Sequence, residues 1–398
     1  MLSGGGARGA YEAGALATLL PYLEQRGQLP GIVLGTSIGA LNASHLAATA
    51  DVSAVESTDG LLKLWREVQF SDIIGPLASP REFARVLRYI GGLLGIPGSS
   101  SPALLDTTPL PAVLRKLIDF ARLHDNIDRR LISLAVVATS YATGDSVVFH
   151  EGKPGVGAQT DARRGIQYVP SRIDGSHVQA SASIPVAFPA TRVDAPKEAA
   201  GWYGDGGTRL NTPIKPALVL GAKRVVVIGL NSVAPPPHPS LGQPDVFDGA
   251  AQLMQALFAD PLAQDVETLS GHNVELARGP AAGSATGGRE AVPYIFVAPH
   301  DRLTVGELAA RTFREHLSGV KALIRARDLV TLGTIIGAGR DAARGELFSL
   351  LFFATEFHDA LIDLGRRDAE RWLSTTHDDG PWRLGPPPLV APPLQRTD

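Results

Sequence analysis

Residues 31–40 read GIVLGTSIGA, an apolar run that ends in a glycine-rich turn and leads into an Ala- and Leu-rich stretch. The run 32–34 predicts a buried strand, and the stretch 40–49 predicts a helix. Between them, two glycines flank Ser37 in a G-x-S-x-G pattern, which suits a sharp strand-to-helix turn that exposes a serine hydroxyl. The same pattern also fits an N-capping serine that has no chemical role.

A second glycine-rich loop precedes this unit. Residues 4–9 read GGGARG and are followed by apolar residues at helical spacing over 13–23. The loop matches the dinucleotide-binding pattern G-x-G-x-x-G, but that pattern needs an acidic residue at the end of the next strand. Here that strand ends in Gly-Thr-Ser, and Glu24 lies back in the preceding helix, so nucleotide binding is the weaker interpretation. Glycine amides at a helix N-terminus can instead form an oxyanion hole.

The alternation of strands and helices continues along the chain. Further strand-like apolar runs cover residues 131–139, 147–149, 225–230 and 294–297. This order predicts a three-layer α/β/α sandwich with a largely parallel central sheet. We expect this domain to cover residues 1–300, a helical C-terminal extension packed on the core to cover 301–375, and a poorly ordered Pro-rich tail to cover 376–398.

Composition excludes several functional classes. The 398 residues include no cysteine, so disulfides, thiolate metal sites and a cysteine nucleophile are impossible. The 37 basic and 40 acidic residues are scattered and give a net charge of −3, so we do not expect a nucleic-acid partner. We expect no metal or cofactor and, because no signal peptide or transmembrane run is visible, a cytoplasmic protein with scope for peripheral contact at a membrane.

A serine nucleophile needs a base, and the sequence offers one distinctive carboxylate. None of the ten histidines stands in a suggestive position, although any of them could complete a triad in space. Asp-Gly occurs five times and is by itself only a turn signal. Asp205 differs because it follows an apolar piece, Trp-Tyr-Gly, and precedes Gly-Gly and then Asn-Thr-Pro at 211–213. This context places its carboxylate in a tight turn near the sheet edge.

Taken in order, these three motifs resemble the patatin-like phospholipase family. Its pattern is a Gly-Gly-Gly-x-Arg-Gly loop, a G-x-S-x-G serine and an Asp-Gly-Gly carboxylate followed by Asn-x-Pro. The matching segments here are residues 4–9, 35–39, 205–207 and 211–213, and the stretch ASASIP at 180–185 is also similar. The resemblance covers about residues 1–300 and departs from the family at the start, because only Met-Leu-Ser stands where members carry a full strand. We therefore expect a truncated or very short first strand.

The resemblance implies a lipid acyl hydrolase with a Ser-Asp dyad. Carried onto this chain, Ser37 is the nucleophile, Asp205 is the general base, and the amides of Gly4, Gly5 and Gly6, with Ile38, form the oxyanion hole. Arg8 would bind a lipid phosphate or, equally, form a structural ion pair. The substrates would be carboxylic esters of phospholipids or lysophospholipids, cleaved through an acyl-enzyme without a metal.

Two other functional classes remain open from the sequence: a serine esterase with a histidine triad, and a catalytically silent binding protein of the same fold. A further hypothesis concerns residues 90–105, where leucines and isoleucines alternate with glycine and proline. Such a segment suits a mobile lid that contacts a membrane surface, and it equally suits an ordinary loop packed on the core.

Overall fold

The computed structural model describes residues 1–77, 80–93, 96, 99, 101, 103–152, 160–233, 249, 252, 260–277, 290–317, 326–375 and 380–387. Its centre is a mixed β-sheet flanked by helices, and a group of further helices follows at the C-terminal end. The α/β class predicted from the sequence is confirmed.

Eight strands lie in the described ranges: β1 (Ile32–Thr36), β2 (Ser133–Ser140), β3 (Ser146–Glu151), β4 (Ile166–Pro170), β5 (Thr191–Val193), β6 (Gly201–Asp205), β7 (Val225–Ile228) and β8 (Tyr294–Val297). The helices there are α1 (Gly9–Glu24), α2 (Ile38–Ala48), α3 (Ala54–Glu67), α4 (Phe70–Ile73), α5 (Pro80–Leu93), α6 (Leu110–Leu117), α7 (Phe120–Asp128), α8 (Gly175–Ser181), α9 (Gly207–Leu210), α10 (Ile214–Val219), α11 (Asp260–Ala277), α12 (Thr304–His316), α13 (Arg327–Ile336), α14 (Ala342–Ser349) and α15 (Thr355–Ser374).

The strands β1, β7 and β8 form parallel pairs. β1 pairs with β2 and β7 pairs with β8 in parallel, and Leu2 bridges the two pairs through one-residue parallel contacts with Gly35 and Ile228. The rest of the sheet contains the antiparallel pairs β2–β3, β2–β6 and β5–β6 and the parallel pair β3–β4. Only five residues, 141–145, connect β2 to β3, which is too short for the crossover that a parallel pair requires.

Side chains of β1 and β2 alternate between two apolar layers, as expected for a sheet covered on both faces. Val33 and Val136 belong to the large core cluster that also contains leucines of α1, whereas Leu34 and Val137 pack in a second cluster with Ala217 at α10. This arrangement gives the three predicted layers.

The C-terminal helix α15 packs directly on α1. A Cβ on Gly14 would lie 2.1 Å from the carbonyl oxygen of Ile362, and a Cβ on Gly365 would lie 2.1 Å from that of Tyr11. The two glycines therefore allow the helix backbones to touch. The phenol of Tyr11 also donates a 2.9 Å hydrogen bond to Asp368 across the same contact. Of the Pro-rich tail, residues 380–387 are described, and Arg383 forms a bridge to β8.

The segment proposed as a lid is described only in part. Residues 94, 95, 97, 98, 100 and 102 lie outside the described residues, as do the side chains of Ile90 and Leu93. In the described part, α5 extends to Leu93, Ile96 is exposed, and the amide of Leu104 donates a hydrogen bond to the carbonyl of Val186. Within the described ranges, the helices are all too short or too polar to cross a bilayer.

Candidate active site

Ser37 occupies a strained turn between β1 and α2. Its φ of 54° and ψ of −123° fall in a region that non-glycine residues rarely adopt. The backbone N–H of Ser37 donates a 2.8 Å hydrogen bond to the hydroxyl of Ser181, which in turn donates to the carbonyl of Val137 at 2.5 Å. The surrounding structure thus holds the serine in an unfavourable conformation, as expected for a nucleophile turn.

The two glycines of the G-x-S-x-G motif are required by close backbone contacts. A Cβ on Gly35 would lie 2.1 Å from the carbonyl oxygen of Gly39, and a Cβ on Gly39 would lie 2.4 Å from the carbonyl oxygen of Leu2. Neither contact can relax by side-chain rotation because both partners are backbone atoms. The motif therefore has a steric reason in this chain, beyond its match to a pattern.

The sheet topology brings Ser37 and Asp205 together. β1 and β6 lie along the same edge of β2 but run in opposite directions, so their C-terminal ends meet. Thr36 pairs with Val137 at the end of β1, and Asp205 pairs with Ala138 at the end of β6. Ser37 Oγ then donates a 2.6 Å hydrogen bond to Asp205 Oδ2. This is the distance expected of a nucleophile and its base.

Asp205 is a buried carboxyl with both oxygens engaged. Its side chain is 2% exposed, and Oδ1 accepts a 2.6 Å hydrogen bond from the amide of Gly207. Burial raises the pKa of Asp205 to about 6, and the hydrogen bonds from Ser37 and Gly207 oppose that rise. A carboxyl with this pKa is ionised at neutral pH and still basic enough to accept a proton.

The glycine loop lies beside Ser37. A Cβ on Gly4 would stand 2.9 Å from Ser37 Cβ and 2.6 Å from Asn211 Oδ1. The amide of Gly4 donates a 2.8 Å hydrogen bond to Asn211 Oδ1, so this N–H already has an acceptor. Sequence reasoning used Asn211 only as part of a motif, and its role in fixing the loop emerges from the structure.

The other amides expected to form the oxyanion hole differ from that of Gly4. Among the described residues, the N–H groups of Gly5, Gly6 and Ile38 have no hydrogen-bond partner. Gly6 has a φ of 58°, and it begins a 3₁₀ turn that leads into α1. These three N–H groups are therefore not committed to a protein acceptor, in contrast to that of Gly4.

A buried polar network supports the start of the glycine loop. Glu12 is fully buried, and its carboxyl accepts hydrogen bonds from the amide of Ser3 at 2.7 Å and from the Asn42 side chain at 2.8 Å. Asn42 in turn accepts a 3.0 Å hydrogen bond from the Trp65 indole. Burial raises the pKa of Glu12 to about 8, while its hydrogen bonds oppose the shift. The sequence analysis missed this network, which links the loop to α2 and α3.

Arg8 points away from the serine into the C-terminal helices. Its guanidinium pairs with the Glu346 carboxylate at 2.8 Å and donates to Ser349 Oγ at 2.8 Å and to Asn231 Oδ1 at 3.0 Å. It also donates to the Glu346 carbonyl at 2.6 Å. Arg8 is 4% exposed, so these contacts favour the structural ion pair over the lipid-phosphate contact.

The histidines and carboxylates of the described residues offer no third member for the dyad and no metal centre. None of those histidines hydrogen-bonds Ser37 or Asp205, and no cluster of three or more histidine, aspartate or glutamate side chains in these ranges could hold a metal ion. Three of the four histidines buried in these ranges bond elsewhere, His45 to Ser57, His177 to Asp174 and Ala195, and His358 to Trp65, and the fourth, His150, lies on β3.

The dyad is closed to solvent in this structure. Ser37 is 4% exposed and Asp205 is 2% exposed. A cavity of about 570 Å³ lies at the opposite end of β1, where Ile32, Val33 and Trp382 contribute to its walls, and neither dyad residue lines it. This cavity is therefore not the place where Ser37 would meet a substrate.

Comparison with known proteins gives one family match. The model of the patatin-like phospholipase family matches residues 1–218, which include all three motifs. Among solved structures, VipD from Legionella pneumophila is similar at 15% identity and a TM-score of 0.30, over 75% of this chain. This chain spans 60% of the length of that VipD chain. No curated protein sequence matches.

Proposed function

The chain belongs to the patatin-like phospholipase family, and from this premise we propose that it is a lipid acyl hydrolase that uses Ser37 and Asp205 as a catalytic dyad. The observation that carries the proposal is the 2.6 Å hydrogen bond from Ser37 Oγ to Asp205 Oδ2. The substrates are carboxylic esters of phospholipids or lysophospholipids, and the products are a fatty acid and the remaining alcohol.

In the proposed first step, Asp205 Oδ2 takes the hydroxyl proton while Ser37 Oγ attacks the acyl carbonyl carbon. The tetrahedral intermediate collapses to an acyl-enzyme, and Asp205 returns the proton to the departing alcohol oxygen. A water molecule then gives its proton to Asp205 and attacks the acyl carbon. The fatty acid leaves, and the proton returns to Ser37.

The oxyanion of each tetrahedral intermediate is proposed to accept hydrogen bonds from the amides of Gly5, Gly6 and Ile38. Backbone donors at helix N-termini are suited to this task because they are fixed before charge develops. The Gly4 amide is not part of the proposed hole, because it already donates a hydrogen bond to Asn211 Oδ1. In this proposal Arg8 and Asn211 hold the loop and do not touch the lipid.

The burial of the dyad implies that substrate enters after a movement of the residues that cover it. Lipid esters fit such a closed site because exclusion of water strengthens the hydrogen bonds to the oxyanion. Peripheral contact with a lipid surface belongs to the same proposal, because a phospholipid acyl chain must leave an aggregate before it reaches Ser37.

A fluorophosphonate probe distinguishes the three functional classes. A Ser37–Asp205 dyad predicts that the probe labels Ser37, as verified by peptide mapping. Asp205→Asn should abolish this labelling, and no histidine substitution should reduce it. Ser44→Ala is the matched control, because Ser44 is a buried serine of α2 that bonds only the carbonyl of Ala40. Loss of labelling in one folded histidine variant would indicate a triad instead. A folded parent that is never labelled would indicate a silent binding protein.

A further inference from the structure

The glycine loop is anchored at its two ends by different parts of the chain. At its start, the hydroxyl of Ser3 donates to the carbonyl of Ile228 in β7, and Gly4 donates to Asn211. At its end, the amide of Ala7 donates a 2.9 Å hydrogen bond to the carbonyl of Leu350. Between these anchors lie Gly5 and Gly6, whose amides belong to the proposed oxyanion hole.

Leu350 approaches the loop so closely that only glycine fits at position 6. A Cβ on Gly6 would lie 2.1 Å from the Leu350 carbonyl oxygen, and Gly6 has the positive φ that glycine tolerates. The Leu350 carbonyl therefore accepts a hydrogen bond from the amide of Ala7 and also constrains the backbone of Gly6.

The ion pair between Arg8 and Glu346 fixes the same end of the loop. The side chains of both residues are at most 10% exposed. Three of the four acceptors of the Arg8 guanidinium belong to α14: the carboxylate and the carbonyl of Glu346 and the hydroxyl of Ser349. Removing charge from one member of such a pair leaves the other charge buried without compensation.

The segment that supplies these contacts is itself firmly held. A Cβ on Gly345 would lie 2.1 Å from the carbonyl oxygen of Gly306, so α14 and α12 touch through their backbones. Phe348 packs edge-on against Phe313, with ring centroids 5.3 Å apart. The contacts of α14 with the loop can thus be weakened one at a time while α14 keeps its place.

We propose that Arg8, Glu346 and the Leu350 carbonyl are positioning groups for the oxyanion hole, so that the C-terminal segment 342–350 is a working part of the active site. This segment lies outside residues 1–218, which the family model matches. The inference rests on the proposed function, because its effect is exerted through the amides of Gly5 and Gly6. Its distinguishing consequence is a loss of turnover with little loss of substrate binding.

The test compares Glu346→Gln with Asp359→Asn on a soluble p-nitrophenyl ester. Asp359 also joins a C-terminal helix to the body of the protein, through an exposed ion pair with Arg66, but it has no contact with the loop. Because loss of one oxyanion donor costs about 10²–10³ in kcat, a displaced loop should cost Glu346→Gln at least about tenfold in kcat, with KM changed less than about twofold. Asp359→Asn should keep the parent kcat.

Ser349→Ala provides a milder variant in case Glu346→Gln folds poorly, since it removes the acceptor of Arg8 Nε and the hydrogen bond from Ser349 Oγ to the Glu346 carbonyl but keeps the ion pair. We expect a smaller fall in kcat and a parallel loss of affinity for a trifluoromethyl ketone, whose adduct oxyanion occupies the hole. If the folded variants keep kcat and inhibitor affinity within about twofold of the parent, the inference is wrong while the proposed function stands. A parent without Ser37-dependent turnover would refute both.

Discussion

The buried carboxyl of Asp205 should make the protein less stable at the pH where it is active. Its pKa is raised from the ordinary value of 3.8 to about 6, so folding favours the protonated form. The protonated Asp205 carboxyl therefore favours the folded state. This contribution is complete below the pKa of Asp205 in the unfolded chain and is lost as pH rises through its pKa in the folded protein. Above pH 6, the folded protein therefore carries the full cost of a buried carboxylate.

The magnitude follows from the two pKa values. Linkage gives a cost of about 3 kcal/mol at pH 8 and less than about 1 kcal/mol at pH 4. Asp205→Asn removes the charge, while its amide can still accept from Gly207 and contact Ser37 Oγ. The variant should thus be inactive and yet more stable than the parent at pH 8.

Urea unfolding of parent and Asp205→Asn at pH 8 and pH 4 measures this difference. The free energy of unfolding of the variant minus that of the parent should be about 2–3 kcal/mol larger at pH 8 than at pH 4. Ser37→Ala serves as a second arm, because it should abolish hydrolysis without that gain. A variant less stable than the parent at pH 8, or a difference independent of pH, would refute the assignment of Asp205 as a buried base with a raised pKa.

Three further outcomes follow from the site. The kcat/KM for a soluble ester should fall about tenfold between pH 7 and pH 5, with a midpoint near the Asp205 pKa of about 6; a flat profile would exclude Asp205 as the base. Asn211→Ala should lower kcat because the Gly4 amide loses its acceptor, whereas Asn273→Ala, which removes two hydrogen bonds to Val292, should lower only the unfolding free energy. Turnover should resist EDTA, and full inhibition reversed by an added metal would contradict the dyad chemistry.

Strand and helix patterns predict much of the fold because they are local. The apolar runs at 32–34, 147–149 and 294–297 all correspond to strands, and the turn at Ser37 has the predicted strand-to-helix context. The strands β4, β5 and β6 were not predicted, since 166–170, 191–193 and 201–205 are short and lack a long apolar run. Their conformation depends on the pairs β3–β4, β5–β6 and β2–β6, and a run of five or three residues does not by itself specify that pairing.

The motifs allow the contact between Ser37 and Asp205 to be predicted, but they do not indicate the residues that support it. Ser37 and Asp205 each stand in a distinctive local context, whereas Glu12 and Ser181 look like ordinary residues of helices. Their roles come from contacts with the loop and with the Ser37 amide. The hydrogen bond between Gly4 and Asn211 and the ion pair between Arg8 and Glu346 likewise join residues more than 200 positions apart. No periodicity in a single sequence contains that information.

The most direct test of the proposed function is the release of free fatty acid from phosphatidylcholine and lysophosphatidylcholine vesicles by the purified parent and by Ser37→Ala. A Ser37-dependent lipid acyl hydrolase should release fatty acid from at least one of the two lipids. The variant, which must remain folded by circular dichroism, should reach less than a few per cent of that rate. Equal release by parent and variant, or no release by the parent from either lipid, would contradict a Ser37-dependent lipid acyl hydrolase.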